Sequence, residues 1–439
     1  MDQYKAAGFN CYTAVLSKTE TGVNRDEAWL EETLEMCQEA GLTMKIRLHG
    51  DLLEFGYNVF EEEFPNIHDK FLDYPALSGF YIADEPSWTQ LLIIEAVYVP
   101  WFNEHYADSR LEFFCNLLSG YSTLIGELRD IDGNIVGNGG IYDGVNGVKL
   151  TEQQKADFLQ AYHNKWLGIL ATVKSANKQF SHDRYPFFDN QAGWLQGATD
   201  ALPNGYQYYM LETWLSQSLN VANQARDKGY DYSACIQVFD QGGATFPNSF
   251  YRLPTTVEEI KWQVYMNLAM GAKTLIYFGY DQSTGGSYMT LGGAPLPMYY
   301  LVQETNEELN KVDHVFAAFK TWLGIKTFVP DGDTPSTAFQ KTASMELEKL
   351  TGVSDVETDR ELVVGEMVDE KGNHGYLLVG YDDPLNKNET KVEMTFDGAA
   401  GFIVYRGGVR TLVEAQEGGV FSATLAAGEG VFVIPVYMD

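Results

Sequence analysis

The chain has 439 residues, 45% of them hydrophobic, and a formal net charge of −31. That size and apolar content exclude a disordered chain and predict about two to three domains with a large core. The charge excludes nucleic acid and anionic lipid surfaces as partners, and no stretch approaches the ~18 consecutive apolar residues that span a membrane.

Aromatic residues make up 14% of the chain, with 27 Tyr, 25 Phe and 8 Trp. They supply core, and also flat surfaces on which sugar rings stack. The four cysteines, Cys11, Cys37, Cys115 and Cys235, have no zinc-binding spacing and read as small buried hydrophobes. No His, Asp or Glu spacing calls for a catalytic metal, and no cofactor is expected.

In chain order, residues 1–7 (MDQYKAA) before Gly8 read as the last turns of a helix and its stop. Strands follow at 9–15, 43–49, 79–85, 111–118, 180–186, 234–240 and 274–280. Helices are expected between them. One lies near 25–40, with Asn24 as cap and Gly41 as stop; others lie near 152–175, 256–271 and 299–323. Alternating strands and amphipathic helices argue a parallel sheet with crossover helices. The predicted class is a (β/α)8 TIM barrel over 1–326. Seven strands are counted where eight are needed, so the first is expected to lie upstream, with a leader for secretion or the cell surface as an open alternative. Beyond 327 the strands are short, alternating and separated by Gly and Asp turns (Asp397-Gly398, Gly407-Gly408, Gly418-Gly419), which predicts an antiparallel β-sandwich over 327–439. The Gly-rich stretch 126–149 reads as a long loop over the barrel mouth.

Side chains alternate along a strand. The outward face of a barrel strand packs on helices, so polar parity marks the inward face. That rule selects Asn10, Arg47, His49, Glu85, Asn116, Asp183, Tyr185 and Gln237, and seven of these stand late in their strands, where barrel sites form. Trp88 and Trp194 follow strand ends, Tyr280 closes the last strand, and all three are expected to hold substrate. By the same parity Asp84 points away from Glu85. In Asp84-Glu85-Pro86 the proline ends the strand and Ser87 can cap the next helix. A carboxylic acid placed there can protonate a departing glycosidic oxygen.

The run Gly79-Phe80-Tyr81-Ile82-Ala83-Asp84-Glu85-Pro86 resembles the fourth strand of clan A glycoside hydrolases, family 42-like barrels in particular. Pro254-Thr255 through Glu259 and Trp262 to Gly271-Ala272-Lys273, then Ile276-Tyr277-Phe278, is similar to their last helix and eighth strand, and Leu425-Ala426-Ala427-Gly428-Glu429-Gly430 to their C-terminal module. The resemblance implies a glycosidase acting on a carbohydrate substrate, with Glu85 as general acid/base. It departs on the seventh strand, where the clan places a glutamate and this chain has Gln237 and then Asp240. The open partners for Glu85 are Asp183 and Asp240. One partner at about 5–5.5 Å would give retention, and Asp183 at about 6.5–9.5 Å would give inversion. Asp84 and Glu85 acting together, on a substrate that supplies its own nucleophile, would resemble hexosaminidases. A barrel that binds sugar without cleaving it is the rival class. An isomerase or aldolase would need an essential lysine or a phosphate cradle, and Lys45 is the only inward lysine.

Overall fold

The computed structural model describes residues 1–15, 27–47, 71–107, 109–118, 127–129, 135–138, 151–187, 206–240, 251–280 and 289–438. The chain divides into two compact units, 1–183 and 184–439.

The first unit alternates strands and helices. Helix α1 (Asp2–Ala6) leads to β1 (Cys11–Val15), α2 (Glu27–Ala40), β2 (Thr43–Arg47) and β3 (Leu77–Asp84). Ser87 then starts α3 (Trp88–Ile93) with a capping box: its hydroxyl accepts from Gln90 N, and Gln90 Oε1 accepts from Ser87 N at 2.7 Å. A π-helical turn (Ile94–Tyr98) continues α3 into α4 (Val99–His105). Strand β4 (Glu112–Leu118), the short hairpin β5 (Glu127–Arg129) and β6 (Ile135–Asn138), α5 (Glu152–Thr172) and β7 (Gln179–Asp183) complete the unit. The hairpin falls where a plain loop is expected from the glycines of 126–149. Thr151 and Gln154 form the same kind of capping box before α5. Strands β1, β2, β3, β4 and β7 pair in that order, all parallel. Phe80, Ile82, Phe113, Cys115 and Phe180 are buried on the face turned toward the helices, as the strand alternation predicts.

The second unit contains α6 (Tyr206–Lys228), β8 (Asp231–Gln237), α7 (Val257–Ala269) and β9 (Ala272–Phe278), with β8 and β9 parallel. Thr256 caps α7 with Glu259 as its return partner. The small hairpin β10 (Thr290–Leu291) and β11 (Ala294–Pro295) precedes α8 (Pro297–Asn310) and α9 (Asp313–Ala318). The single helix expected over 299–323 is therefore two shorter ones, and Trp322 lies instead in β12 (Thr321–Phe328), where its indole donates to Ala269 O at 2.8 Å. The short helix α10 (Thr337–Thr342) follows.

The rest of the second unit is antiparallel: β13 (Val353–Thr358), β14 (Leu362–Val368), β15 (His374–Gly380), β16 (Thr390–Phe396), β17 (Ala399–Arg406), β18 (Val409–Glu414), β19 (Val420–Leu425) and β20 (Gly430–Tyr437). The larger sheet runs β12-β14-β15-β20-β17-β18 and the smaller β13-β16-β19. Leu362, Leu378, Met394, Phe396, Phe402 and Leu425 from both sheets share one core, and β12, β13 and β19 are strands the periodicity does not mark. Gly365 lies under the end of α7; a Cβ there would meet Ala269 O at 2.2 Å.

Among the described residues, no helix is long and apolar enough to cross a membrane. All four cysteines are free, and three are buried.

Candidate active site

In the first unit, one face of the parallel sheet is polar. Its register lines up Lys45 with Gly79, Arg47 with Tyr81, Asp84 with Asn116, Asn116 with Ser181, and Leu118 with Asp183. Paired residues on parallel strands share a face, so these polar groups form layers climbing toward the C-terminal strand ends. The lowest layer is an ion pair between Lys45 Nζ and Glu112 Oε2 at 2.7 Å, with Gln179 Nε2 donating to Glu112 at 3.0 Å. Gly79 makes room for it, since a Cβ there would lie 2.5 Å from Glu112 O. The Glu112 carboxylate is thus satisfied by Lys45, and Arg47 serves Asp84 in the layer above.

In that layer Asp84 accepts three hydrogen bonds: from Arg47 Nη2 at 3.0 Å, Tyr81 OH at 2.7 Å and Asn116 Nδ2 at 3.2 Å. Ser181 Oγ donates to Asn116 Oδ1 at 2.9 Å, fixing that amide's orientation. The Arg47 guanidinium lies over the Tyr81 ring, 5.1 Å from its centroid. Strict alternation predicts that Asp84 points away from this face. It does not, because the β3–β4 register slips between Tyr81 and Ala83. The extra residue, Ile82, is a bulge that moves Asp84 onto the polar face.

A second irregularity follows at once. Glu85 has φ +46°, left-handed backbone that a residue with a Cβ rarely adopts. The turn is held from both sides: Glu85 N donates to Asn116 O at 2.8 Å, and the Tyr162 hydroxyl donates to Pro86 O at 2.7 Å. Tyr162 comes from α5, and no local sequence signal marks that contact. The twist brings the Glu85 carboxyl into a hydrogen bond with that of Asp183 at the end of β7.

Two carboxyls in a hydrogen bond hold a proton between them. Burial raises the Asp183 pKa well above the ordinary aspartate value, and the charge of Glu85, their hydrogen bond and the charge of Asp84 push it the same way. Burial also raises Glu85, and Asp84 adds to that, but the bond to Asp183 acts in the opposite sense. Asp183 Oδ1 is buried without a hydrogen-bond partner among the described residues. Among those residues no cation pairs with either carboxyl, and no group of three or more His, Cys, Asp or Glu side chains is arranged to hold a metal.

The remaining predicted residues fall elsewhere. Asn10 precedes β1 and is exposed, at the N-terminal end of the strands, because β1 begins only at Cys11. Trp88 is half-buried in the first turn of α3, three residues past Glu85. His49 and Trp194 lie outside the described residues.

In the second unit, Tyr185 is buried among Cys235, Phe239, Tyr251 and Ile276, its ring 4.8 Å from that of Phe239. Gln237 is fully buried. Its Oε1 accepts from Phe187 N at 2.9 Å, and its Nε2 donates to Phe187 O at 2.9 Å and Arg252 O at 2.7 Å. Every polar atom of that side chain is spent tying two loop segments to β8. Asp240 follows β8 and is half-buried, and the backbone carbonyl of Tyr280 accepts from Thr290 N at 2.9 Å.

No protein-family model matches the chain, and no curated protein matches it. Among solved structures, it is similar to a family 39 glycoside hydrolase from Bacteroides cellulosilyticus (10% identity, 99% of this chain and 77% of that chain covered, TM-score 0.43). It is also similar to a GH51 arabinofuranosidase from Xanthomonas axonopodis pv. citri (9% identity, 99% and 88% covered, TM-score 0.44). A third similar structure is a beta-galactosidase from the haloarchaeon Halorubrum lacusprofundi (10% identity, 100% and 97% covered, TM-score 0.41).

Proposed function

We propose that this protein is a glycoside hydrolase whose chemistry is carried by the Glu85–Asp183 carboxyl pair. The strand–helix alternation is assigned to the (β/α)8 class. The barrel portion is taken to end near residue 320, ahead of the 327 suggested by the sequence, since β12 already belongs to the antiparallel sheet. The observation that carries the function is the pair itself: two hydrogen-bonded carboxyls with raised pKa values at the C-terminal ends of parallel strands, on backbone held in a strained conformation.

In this mechanism the pair gives its shared proton to the glycosidic oxygen as the bond to the anomeric carbon breaks. The carboxylate left behind stabilises the positive charge on the sugar ring. Water then adds to the anomeric carbon, and its proton returns to the pair. Asp84, saturated by Arg47, Tyr81 and Asn116, is a positioning residue whose negative charge keeps the proton on the pair. Arg47, Asn116 and the half-buried Trp88 are assigned to substrate contact. Gln237 is assigned a structural role, and no nucleophile is required at its position. That same feature favours a second reading, a barrel that binds oligosaccharide without cleaving it.

The test is a screen of aryl glycosides and oligosaccharides with the wild type, Glu85→Gln and Asp183→Asn. Turnover by the wild type and a loss of about 10²–10⁴-fold in each variant are expected for a proton-transfer role. Unchanged turnover in Glu85→Gln would sink the proposal. Saturable oligosaccharide binding with no turnover by the wild type would establish the second reading.

A further inference from the structure

Strand β18 (Val409–Glu414) closes one edge of the six-stranded sheet, paired on one side with β17 and on the other with nothing among the described residues. All six of its residues are exposed. Three are apolar: Val409 is 57% exposed, Leu412 74% and Val413 40%. Proteins usually blunt such an edge with a proline, a bulge, a covering segment or a central charge. Here the middle of the strand is Thr411-Leu412, and its register with β17 is regular from Gly401–Glu414 to Arg406–Val409.

The direction of the free backbone groups follows from that register. Ala415 N donates to Ala400 O at 3.1 Å. Hydrogen-bonded pairs alternate along an antiparallel ladder. Val413, Thr411 and Val409 therefore point their N–H and C=O groups at β17, and Arg410, Leu412 and Glu414 point theirs outward. The side chains of Arg410, Leu412 and Glu414 also share one face of the strand.

We propose that the free edge of β18 pairs antiparallel with β18 of a second copy of this chain, about a twofold axis through Leu412. In a self-pairing strand each outward-facing residue must meet another outward-facing residue. Registers that set even against odd positions are thereby excluded. With Leu412 opposite Leu412, Arg410 of each copy stands opposite Glu414 of the other, on the same face. Two cross-strand ion pairs then flank a Leu–Leu contact, and Thr411 meets Val413 on the opposite face. Sliding the register by two residues sets Arg410 against Leu412 and leaves Glu414 opposite the turn. The centred register is thus the one that satisfies both charges. The closed contact is isologous and leaves no new edge.

Each chain carries a net charge of −31, which opposes association at low ionic strength. The test is run at about 0.15 M salt, where screening confines that repulsion to roughly 8 Å. An edge contact is smaller than a standard interface of about 1,600 Å², so the full chain is measured at about 100 µM by sedimentation velocity and light scattering. The expected result is a species of twice the 49.2 kDa chain mass. Arg410→Glu sets like charges opposite each other at both pairs and should give monomer. The double variant Arg410→Glu/Glu414→Arg restores the complementarity and should recover the dimer. Leu412→Pro removes an outward N–H that β17 does not use, and should give monomer with an unchanged far-ultraviolet circular dichroism spectrum. A monomeric wild type, a dimeric Arg410→Glu, or a charge-swapped variant that stays monomeric would each overturn the proposal.

Discussion

Replacing Glu85 by glutamine separates the charge of that side chain from its shape. Glu85 is raised by burial first and then by the negative charge of Asp84, against the opposing bond from Asp183. A carboxyl with a higher pKa in the folded than in the unfolded state stabilises the fold below its unfolded value, about 4.3, and loses that contribution as pH rises through the folded value. Each unit of separation is worth about 1.4 kcal/mol once both states are ionised. Glutamine has the same size and keeps the left-handed backbone, but it cannot ionise. Asp183 is eased too, since the charge of Glu85 is among the causes that raise it. The Glu85→Gln variant should therefore be more stable than the wild type near pH 7.5, with the difference fading toward zero near pH 4. Glu85→Gly also removes backbone strain of about 1–2 kcal/mol, offset by about 0.5–1 kcal/mol of extra chain entropy in the unfolded state. It should match or slightly exceed the glutamine variant. Urea denaturation followed by tryptophan fluorescence between about pH 4 and 8 reads both effects as midpoint shifts. A midpoint lowered by Glu85→Gln near pH 7.5, or one shifted equally at both ends of the range, would refute the reasoning.

Two further substitutions probe the scaffold around the site. Gln237→Glu supplies the residue type that the clan A resemblance leads one to expect on that strand, but it aims a carboxylate at the carbonyls of Phe187 and Arg252. It should cost about 3 kcal/mol or more in stability and raise no glycosidase activity, as read by a denaturation midpoint and the aryl-glycoside assay. A gain in turnover would return the nucleophile to that position. Gly79→Ala puts a methyl group 2.5 Å from Glu112 O and should destabilise the first unit by about 1–3 kcal/mol through overpacking. Wild-type hydrogen-exchange protection of β3 and β4 in that variant would count against it.

The sequence displays the parts of the fold governed by periodicity. All seven predicted parallel strands are present, with their described ends within three residues of the expected ones, because alternation of buried and polar residues is what the sheet itself imposes. The capping of α3 by Ser87 is equally local, resting on residues three apart. What escaped was non-local. The bulge at Ile82 looks like any other apolar strand residue, and only the slip against β4 reveals it. It reverses the face of Asp84, so parity places Asn116 and Asp183 on the polar face but misplaces Asp84. The left-handed backbone at Glu85 carries no glycine to announce it. Trp322 has apolar neighbours at helical spacing, and its strand is decided by pairing with β14. Gln237 has the inward parity of a site residue, and its bonds to segments 50 residues back and 15 residues ahead make it a clamp.

The polar layers of the first unit also have an order in charge. The lowest sets one cation against one anion, Lys45 with Glu112, and the middle layer repeats the balance with Arg47 and Asp84. The top layer has two carboxyls and, among the described residues, no cation. Going up the strands, the neutral pattern breaks off one position short, at the mouth. A sugar ring that becomes positively charged as its glycosidic bond parts would supply the missing member, and would do so only at the moment of reaction. Such a site would hold the bound substrate loosely and the reacting one tightly, an electrostatic preference already present in the empty protein.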